Sequence, residues 1–172
     1  NLKTFTVANE GTYNVDNSGV VTFTPVANFN GIATAVNYTV NDNDGVTSNI
    51  ATITVTVTNV KDAPIANNDG ISTPEETPVS LTVTTNDTDV DGTIDVATVD
   101  LAPTPPRLPT TITVYNEGAY TVYNSGVVTF TPVANFNGIA TAVNYTVNDN
   151  DGVTSNIATI TITITNLNES PN

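Results

Sequence analysis

The sequence contains no cysteine, histidine, methionine, tryptophan or glutamine, and only three basic residues. Without cysteine there is no disulfide, thiolate nucleophile or thiolate metal site. Without histidine a Ser-His-Asp triad and an imidazole general base are excluded. The missing glutamine excludes a Thr–Gln ester link, and no Gly-rich phosphate loop is present. Lys3, Lys61 and Arg107 face 17 acidic residues, for a net charge of −14. Such a surface repels DNA, RNA and anionic membranes and attracts divalent cations. No apolar run is long enough to span a membrane as a helix, and no signal-peptide pattern is visible. Charged residues make up only 12% of the chain, and Thr, Asn and Val dominate, which is not the composition of a disordered segment. A domain without disulfides relies on a full core, a bound metal, or both.

What the chain does have is an internal repeat. The string Asn17–Thr54 returns letter for letter at Asn124–Thr161, an offset of 107 residues from Gly19 to Gly126. The match continues more loosely on both sides, with Val7–Gly11 against Val114–Gly118 and Val55–Asn59 against Ile162–Asn166. A period of this length suits a whole small domain rather than one turn of a solenoid. Asn59-Val60-Lys61-Asp62-Ala63-Pro64 aligns with Asn166-Leu167-Asn168-Glu169-Ser170-Pro171, so a module begins near Asp62. The frame predicts a complete module at residues 62–168, the back part of a module at residues 1–61, and the start of another at residues 169–172. It also predicts that the chain is a slice of a longer protein, and that residues 1–61 do not close a sandwich alone.

Alternation with period two runs throughout, and nothing reads as helix. Strands are predicted at Pro64–Asp69, Val79–Thr85, Val96–Leu101, Thr111–Asn116, Ala119–Tyr123, around Val128 and Phe130, around Val143, Tyr145 and Val147, and at Ile157–Thr165. Pro-rich Ala102–Pro109 reads as an extended loop, and Asn135–Gly138 as a corner anchored by Phe136. Asn148–Gly152 reads as a hairpin turn. Seven or eight short antiparallel strands in about 107 residues predict an all-β fold, a Greek-key β-sandwich of the immunoglobulin type, with modules joined end to end as a rod.

The strongest chemical signal is Asp87-Thr88-Asp89-Val90-Asp91-Gly92-Thr93-Ile94-Asp95. Alternate carboxylates converge on a hard cation, Gly92 permits a sharp turn, and Ile94 pins the loop to the core. The twelfth place is Thr98 rather than Glu, and no helices flank the loop, so it is not an EF-hand. In an immunoglobulin-type sandwich the Asn148–Gly152 turn, with Asp149 and Asp151, reaches the same pole, and Asp62 and Asp69 flank the first strand there. That many like charges repel unless a cation sits among them. Against this, an Asn-Asp-Gly turn forms for backbone reasons alone. Glu75 and Glu76 fall at the opposite pole, either as a solvated turn or as ligands completed by a following module. They do not form a catalytic pair, because neighbours on an extended chain point to opposite faces. Lys3 and Lys61 align with Thr110 and Asn168, so neither is a crosslinking lysine of the repeat. Threonines 159, 161, 163 and 165 form an outward ladder, and Tyr115 and Tyr123 are predicted to face solvent.

The motifs Val127-Val128-Thr129-Phe130-Thr131-Pro132, Asn135-Phe136-Asn137-Gly138 and Asn144-Tyr145-Thr146-Val147-Asn148-Asp149, with Asp62-Ala63-Pro64, Glu76-Thr77-Pro78 and the acidic loop, resemble cadherin-like, bacterial Ig-like tandem repeats of giant bacterial surface adhesins. The resemblance implies a calcium-stiffened repeat of a secreted or surface-anchored bacterial adhesin. By position, Asp62, Asp87, Asp89, Asp91 and Asp149 match junction ligands, and Glu76 matches the acidic residue near the first strand. The linker departs from the pattern, with one acid where cadherin linkers carry several. Asp62, Asp69, Glu76, Asp87, Asp89, Asp91, Asp149 and Asp151 are therefore the candidate Ca2+ ligands. The expected role is a non-enzymatic extender that projects a binding tip for adhesion, including in gliding motility. Its partners are neighbouring repeats, surface glycans or other adhesin chains. The competing reading is a module that itself binds glycan or ice.

Overall fold

The computed structural model describes residues 3–102 and 110–167. The chain divides into two compact units, one ending at Val60 and one starting at Lys61. Most of the Ala102–Pro109 loop, and Asn168 and Glu169, lie outside the described residues.

In the first unit, β1 (Thr4–Val7), β2 (Gly11–Val15) and β3 (Val21–Pro25) form an antiparallel meander. Two further pairs are short: β4 (Gly31–Ile32) with β7 (Thr56–Val57), and β5 (Val36–Tyr38) with β6 (Ala51–Ile53). Only a few of its apolar side chains, such as Tyr13 and Ala33, are buried.

The second unit is a two-sheet sandwich. One sheet has the order β11 (Thr111–Val114), β12 (Gly118–Val122), β13 (Val127–Pro132), β9 (Val79–Thr82). The other is built around β16 (Ala158–Thr165). Along one side of it run β15 (Val143–Asp149) and then β14 (Gly138–Ile139), and β10 (Ile94–Asp100) adds to the outer side of β15. On the other side of β16 lies β8 (Asp69–Pro74), paired in parallel from Asp69 opposite Ile160 to Pro74 opposite Thr165. Alternate residues of facing strands point at each other. Tyr120, Val128 and Phe130 from one sheet therefore meet Tyr145, Val147, Ile160 and Ile162 from the other, all fully buried. Tyr120 and Phe130 stack tilted with centroids 4.6 Å apart.

The all-β reading and the inward faces of β12, β13, β15 and β16 agree with the alternation. Two boundaries moved. The strand expected at Pro64–Asp69 lies instead at β8. Residues 64–68 are held by an isolated bridge between Ile65 and Thr88 and by side chains: Asn156 Oδ1 accepts from the Ala66 amide, Asn86 O from Asn67 Nδ2, and Asn68 Oδ1 from the Thr159 amide. Asparagine side chains compete here with ladder bonds. The strand expected to reach Thr85 stops at Thr82, where a 3-10 turn, Val83–Asn86, drives Val83 into the core.

Candidate functional site

The 3-10 turn aims the acidic loop. Its last residue is followed by Asp87 in extended conformation (φ −79°, ψ 152°), and the alternation that starts there turns the Asp87 carboxylate inward. That carboxylate meets the Tyr145 hydroxyl, 3.0 Å from Oδ1 and 3.2 Å from Oδ2, and accepts the Asn67 amide at 2.8 Å. The same hydroxyl lies 2.9 Å from the Asn67 carbonyl and 3.0 Å from the Val83 carbonyl. Asp69, at the start of β8, stands beside this cluster. Burial pushes the carboxyl pKa of both Asp69 and Asp87 up; hydrogen bonds from Tyr145 oppose the shift in both, and the Asp87 charge adds to it at Asp69. Burial, then the charges of Asp87 and Asp69, push the Tyr145 hydroxyl far up.

A second group forms where the loop meets the β15–β16 hairpin. Asp89 Oδ1 accepts the Asp91 amide at 3.3 Å, and Asp91 Oδ1 accepts the Asp62 amide at 3.3 Å. Asn150 Oδ1 accepts the Thr93 amide at 2.7 Å, tying loop to hairpin. Gly92 is needed for space rather than for its backbone angles: a Cβ there would stand 2.7 Å from both Asn150 Oδ1 and Asp89 Oδ2. Asp149 is only 3% exposed and caps its own turn, its Oδ1 accepting the Asp151 and Val153 amides at 2.8 Å each. Asp42 makes the same turn in the first unit. Asp151 pairs with Lys61. That hydrogen bond, then the Asp151, Asp91 and Asp149 charges, hold the Lys61 ammonium above its usual pKa against partial desolvation.

The structure thus gathers seven of the eight candidate ligands at one end of the second unit, in two groups. Asp69 and Asp87 surround Tyr145, while Asp62, Asp89, Asp91, Asp149 and Asp151 surround the loop–hairpin contact. Glu76 stands elsewhere, exposed, at φ 63° in the turn after β8. Its neighbour Glu75 is 7% exposed, and its Oε1 accepts the Leu167 amide at 2.7 Å. Asp95, ninth in the loop, turns back to the Ala97 amide.

The cation implied by the resemblance is calcium, a hard ion that takes oxygen ligands. The donor type fits. All are oxygens, and Asp69 Oδ2 and Asp89 Oδ2 are buried without a hydrogen-bond partner, which is costly unless something else satisfies them. Assembly is incomplete: among the described residues no three acidic side chains stand together as a metal cage. Sequence reasoning missed the Tyr145 hydroxyl and Lys61 as the groups that meet these carboxylates. Only the position of Lys61 beside Asp62 hinted at it.

Two packed sheets, antiparallel except where β8 pairs in parallel with β16, and an acidic end define a cadherin-like β-sandwich repeat. The chain belongs to the bacterial cadherin-like domain family, whose model matches residues 61–166. Residues 1–57 match the repetitive domain of the surface adhesin CshA. No curated protein matches the chain. These families consist of structural repeats of adhesins and point to the cell surface. No helix among the described residues is long and apolar enough to cross a membrane.

Proposed function

We propose that this chain is an extender segment of a long bacterial surface adhesin, whose repeats stand end to end, hold calcium at their acidic ends and project a binding tip. One observation carries the extender reading. The chain comes into the second unit at Lys61–Ala66, against Asp151, Thr88 and Asn156. It leaves at Leu167, against Glu75. Because β8 and β16 run parallel, these two points lie at opposite ends of the sandwich. A module with its ends so placed adds length with each copy, and near-identical copies suit a part whose product is length.

The calcium reading rests on the orphaned Asp89 Oδ2 beside Asn150 Oδ1 and on the surplus of acid around one ammonium. Asp89, Asp91, Asp149 and Asp151 would hold the ion, with Asp62 joining from the linker. The ion would add positive charge to that which Lys61 supplies beside Asp151, and the protein's part is to keep those oxygens on a rigid end of the sandwich. The segment acts in adhesion, including adhesion coupled to gliding, and its partners are neighbouring repeats. The test is a calcium titration of the full chain by calorimetry, beside Asp89→Ala. Saturable binding that weakens at least about tenfold in the variant, a loss of about 1.4 kcal/mol, supports the site. Equal affinity in the two proteins removes Asp89 from it.

A second reading has one observation behind it. Tyr115 and Tyr123, which replace Ala8 and Asp16 of the repeat, are 86% and 52% exposed. Rings so placed can stack on sugar faces. A glycan array probed with wild type and a Tyr115→Ala/Tyr123→Ala double variant tests that reading, which falls if both show the same background.

A further inference from the structure

Within the second unit, β8 and β16 are neighbours that run the same way. They keep one unbroken register, from Asp69 opposite Ile160 to Pro74 opposite Thr165. Parallel ladders carry evenly spaced bonds. Ile160, Ile162 and Ile164 are buried, Thr73 is 6% exposed, and Ile71 packs against the core, so the inner side of this ladder is closed to water. Glu75 donates its amide to the Thr165 carbonyl at 2.9 Å. Its neighbour Pro74, which has no amide to give, therefore faces the free edge.

The ladder outruns its strands at both ends, and side chains carry it. Beyond β16, the Leu167 amide donates to Glu75 Oε1 at 2.7 Å, where a longer strand would offer a carbonyl. At the other end, the Thr159 amide donates to Asn68 Oδ1 at 2.9 Å. Before that, the Asn156 side chain takes both main-chain groups of Ala66, accepting from its N–H at 3.0 Å and donating to its carbonyl at 2.8 Å. Paired bonds thus run from Ala66 to Glu75 on one segment and from Asn156 to Leu167 on the other. Glu75 is 7% exposed, although burying a carboxylate is costly without partners. A solvated turn would not need it inward, and its neighbour Glu76 is exposed.

Tension along the chain enters this unit at Lys61–Ala66 and leaves at Leu167. It draws β8 toward the entry end and β16 toward the exit end. The two strands are then loaded in shear, and the bonds of the ladder bear the force together. A pull that takes both strands by the same end opens the bonds one after another. We propose that the β8–β16 ladder, latched by Glu75, is the load-bearing clamp of the repeat, which keeps it folded under tension along the chain. This function rests on the extender reading. Glu75 is a positioning residue in it: it holds Leu167 so that the chain leaves in line with the ladder. The clamp is made of main-chain groups and the side chains of Asn68, Glu75 and Asn156, and it needs no cation.

The experiment pulls single molecules of the full chain in EDTA in two directions. One uses the two chain ends. The other uses the N-terminus and Ile157→Cys, an exposed place just ahead of β16. The chain has no cysteine, so that attachment is unique. Unfolding of the second unit is recognised by the release of on the order of 300 Å of chain. Forced unfolding reads the unfolding rate along the pulled direction, and the end-to-end force is expected to exceed the Ile157 force at least about twofold. Glu75→Ala is expected to lower the end-to-end force and leave the Ile157 force unchanged, because peeling starts at the far end of the ladder. Glu75→Gln keeps a carbonyl acceptor for Leu167 and is expected to hold the wild-type force. Equal forces in the two directions overturn the proposal, and so does a Glu75→Ala variant that weakens both equally, as a loss of general stability would. The directional comparison needs no change at Glu75, so it decides the matter even where the alanine variant does not fold. Solution scattering from the full chain, and from a form with residues 61–167 repeated, tests the extender reading by itself. A rod that lengthens with the added copy while the two directions give equal force keeps the extender and removes the clamp. A particle that does not lengthen removes the extender, and with it this use of the ladder.

Discussion

Tyr145 offers one hydroxyl proton to four oxygen atoms, those of Asn67, Val83 and both sides of the Asp87 carboxylate. Only one can receive it at a time. A proton on Asp87 or Asp69 relieves the surplus of acceptors, which fits the upward pKa of both carboxyls. A group with a raised folded pKa binds more protons folded than unfolded, so stability is greater at low pH and is lost as pH rises from about 3.8 through the folded values. Melting curves in EDTA are expected to show this contribution falling with pH in that window, and Asp87→Asn is expected to flatten it. An unchanged slope in the variant would show that Asp87 is not its source. Lys61 gives a second residue-scale prediction. If calcium binds among Asp91, Asp149 and Asp151, the ammonium competes with it. Lys61→Gln is then expected to raise calcium affinity several-fold, and a lowered affinity would place the ion elsewhere.

At the scale of elements, both units use one device to lock the β11–β13 type of meander. Glu117 accepts the Thr141 amide and hydroxyl, and the Tyr120 hydroxyl donates to the Thr141 carbonyl at 3.0 Å. Glu10, Thr34 and Tyr13 repeat these bonds. Burial, then the Glu117 charge, push the Tyr120 hydroxyl up to about 12, so it remains a donor across the ordinary pH range. Tyr120→Phe is expected to cost about 1 kcal/mol, the loss of one net hydrogen bond. The phenylalanine keeps the ring's packing against Phe130. A sharper test lies at Gly118, whose φ is 155° and where a Cβ would stand 2.4 Å from the Thr131 carbonyl oxygen and 2.7 Å from Phe130 Cζ. The glycine lets an aromatic ring lie flat across the strand. Gly118→Ala is expected to destabilise the second unit by about 1–3 kcal/mol through overpacking, read by denaturant melts. A neutral result would mean that β12 shifts freely against β13.

For the molecule as a whole, calcium that binds only the folded state raises stability by about 2.7 kcal/mol per site at a concentration 100 times the dissociation constant. Melting temperatures in calcium and in EDTA are expected to differ accordingly, in the transition of residues 61–167. Agreement within error would remove calcium from the account and leave an acidic but metal-free extender. The two units are also expected to protect their amides unequally, since stability follows buried apolar contact. Exchange within Val127–Pro132 should be slower than within Val20–Pro25, although most of the sequence is the same. Equal rates would mean that the first unit closes its core by some other means.

The period-two alternation settled the all-β class and the inward places of Tyr120, Phe130, Tyr145 and Ile160, because the direction of a strand side chain is fixed by its own backbone. The identical strings made the repeat plain, and the acidic run named the end of the sandwich where charge collects. Three things were decided only in three dimensions. Asn67, Asn68 and Asn156 displaced the first strand to Asp69–Pro74, through bonds between residues far apart in the chain. The 3-10 turn sent Asp87 inward to Tyr145, away from Asp89 and Asp91, so carboxylates in phase in the sequence did not form one cage. One string gave a sealed core at Val128 and Tyr145 and an open face at Val21 and Tyr38. Direction is a local property of the chain, while cover is supplied by strands that the string itself does not contain.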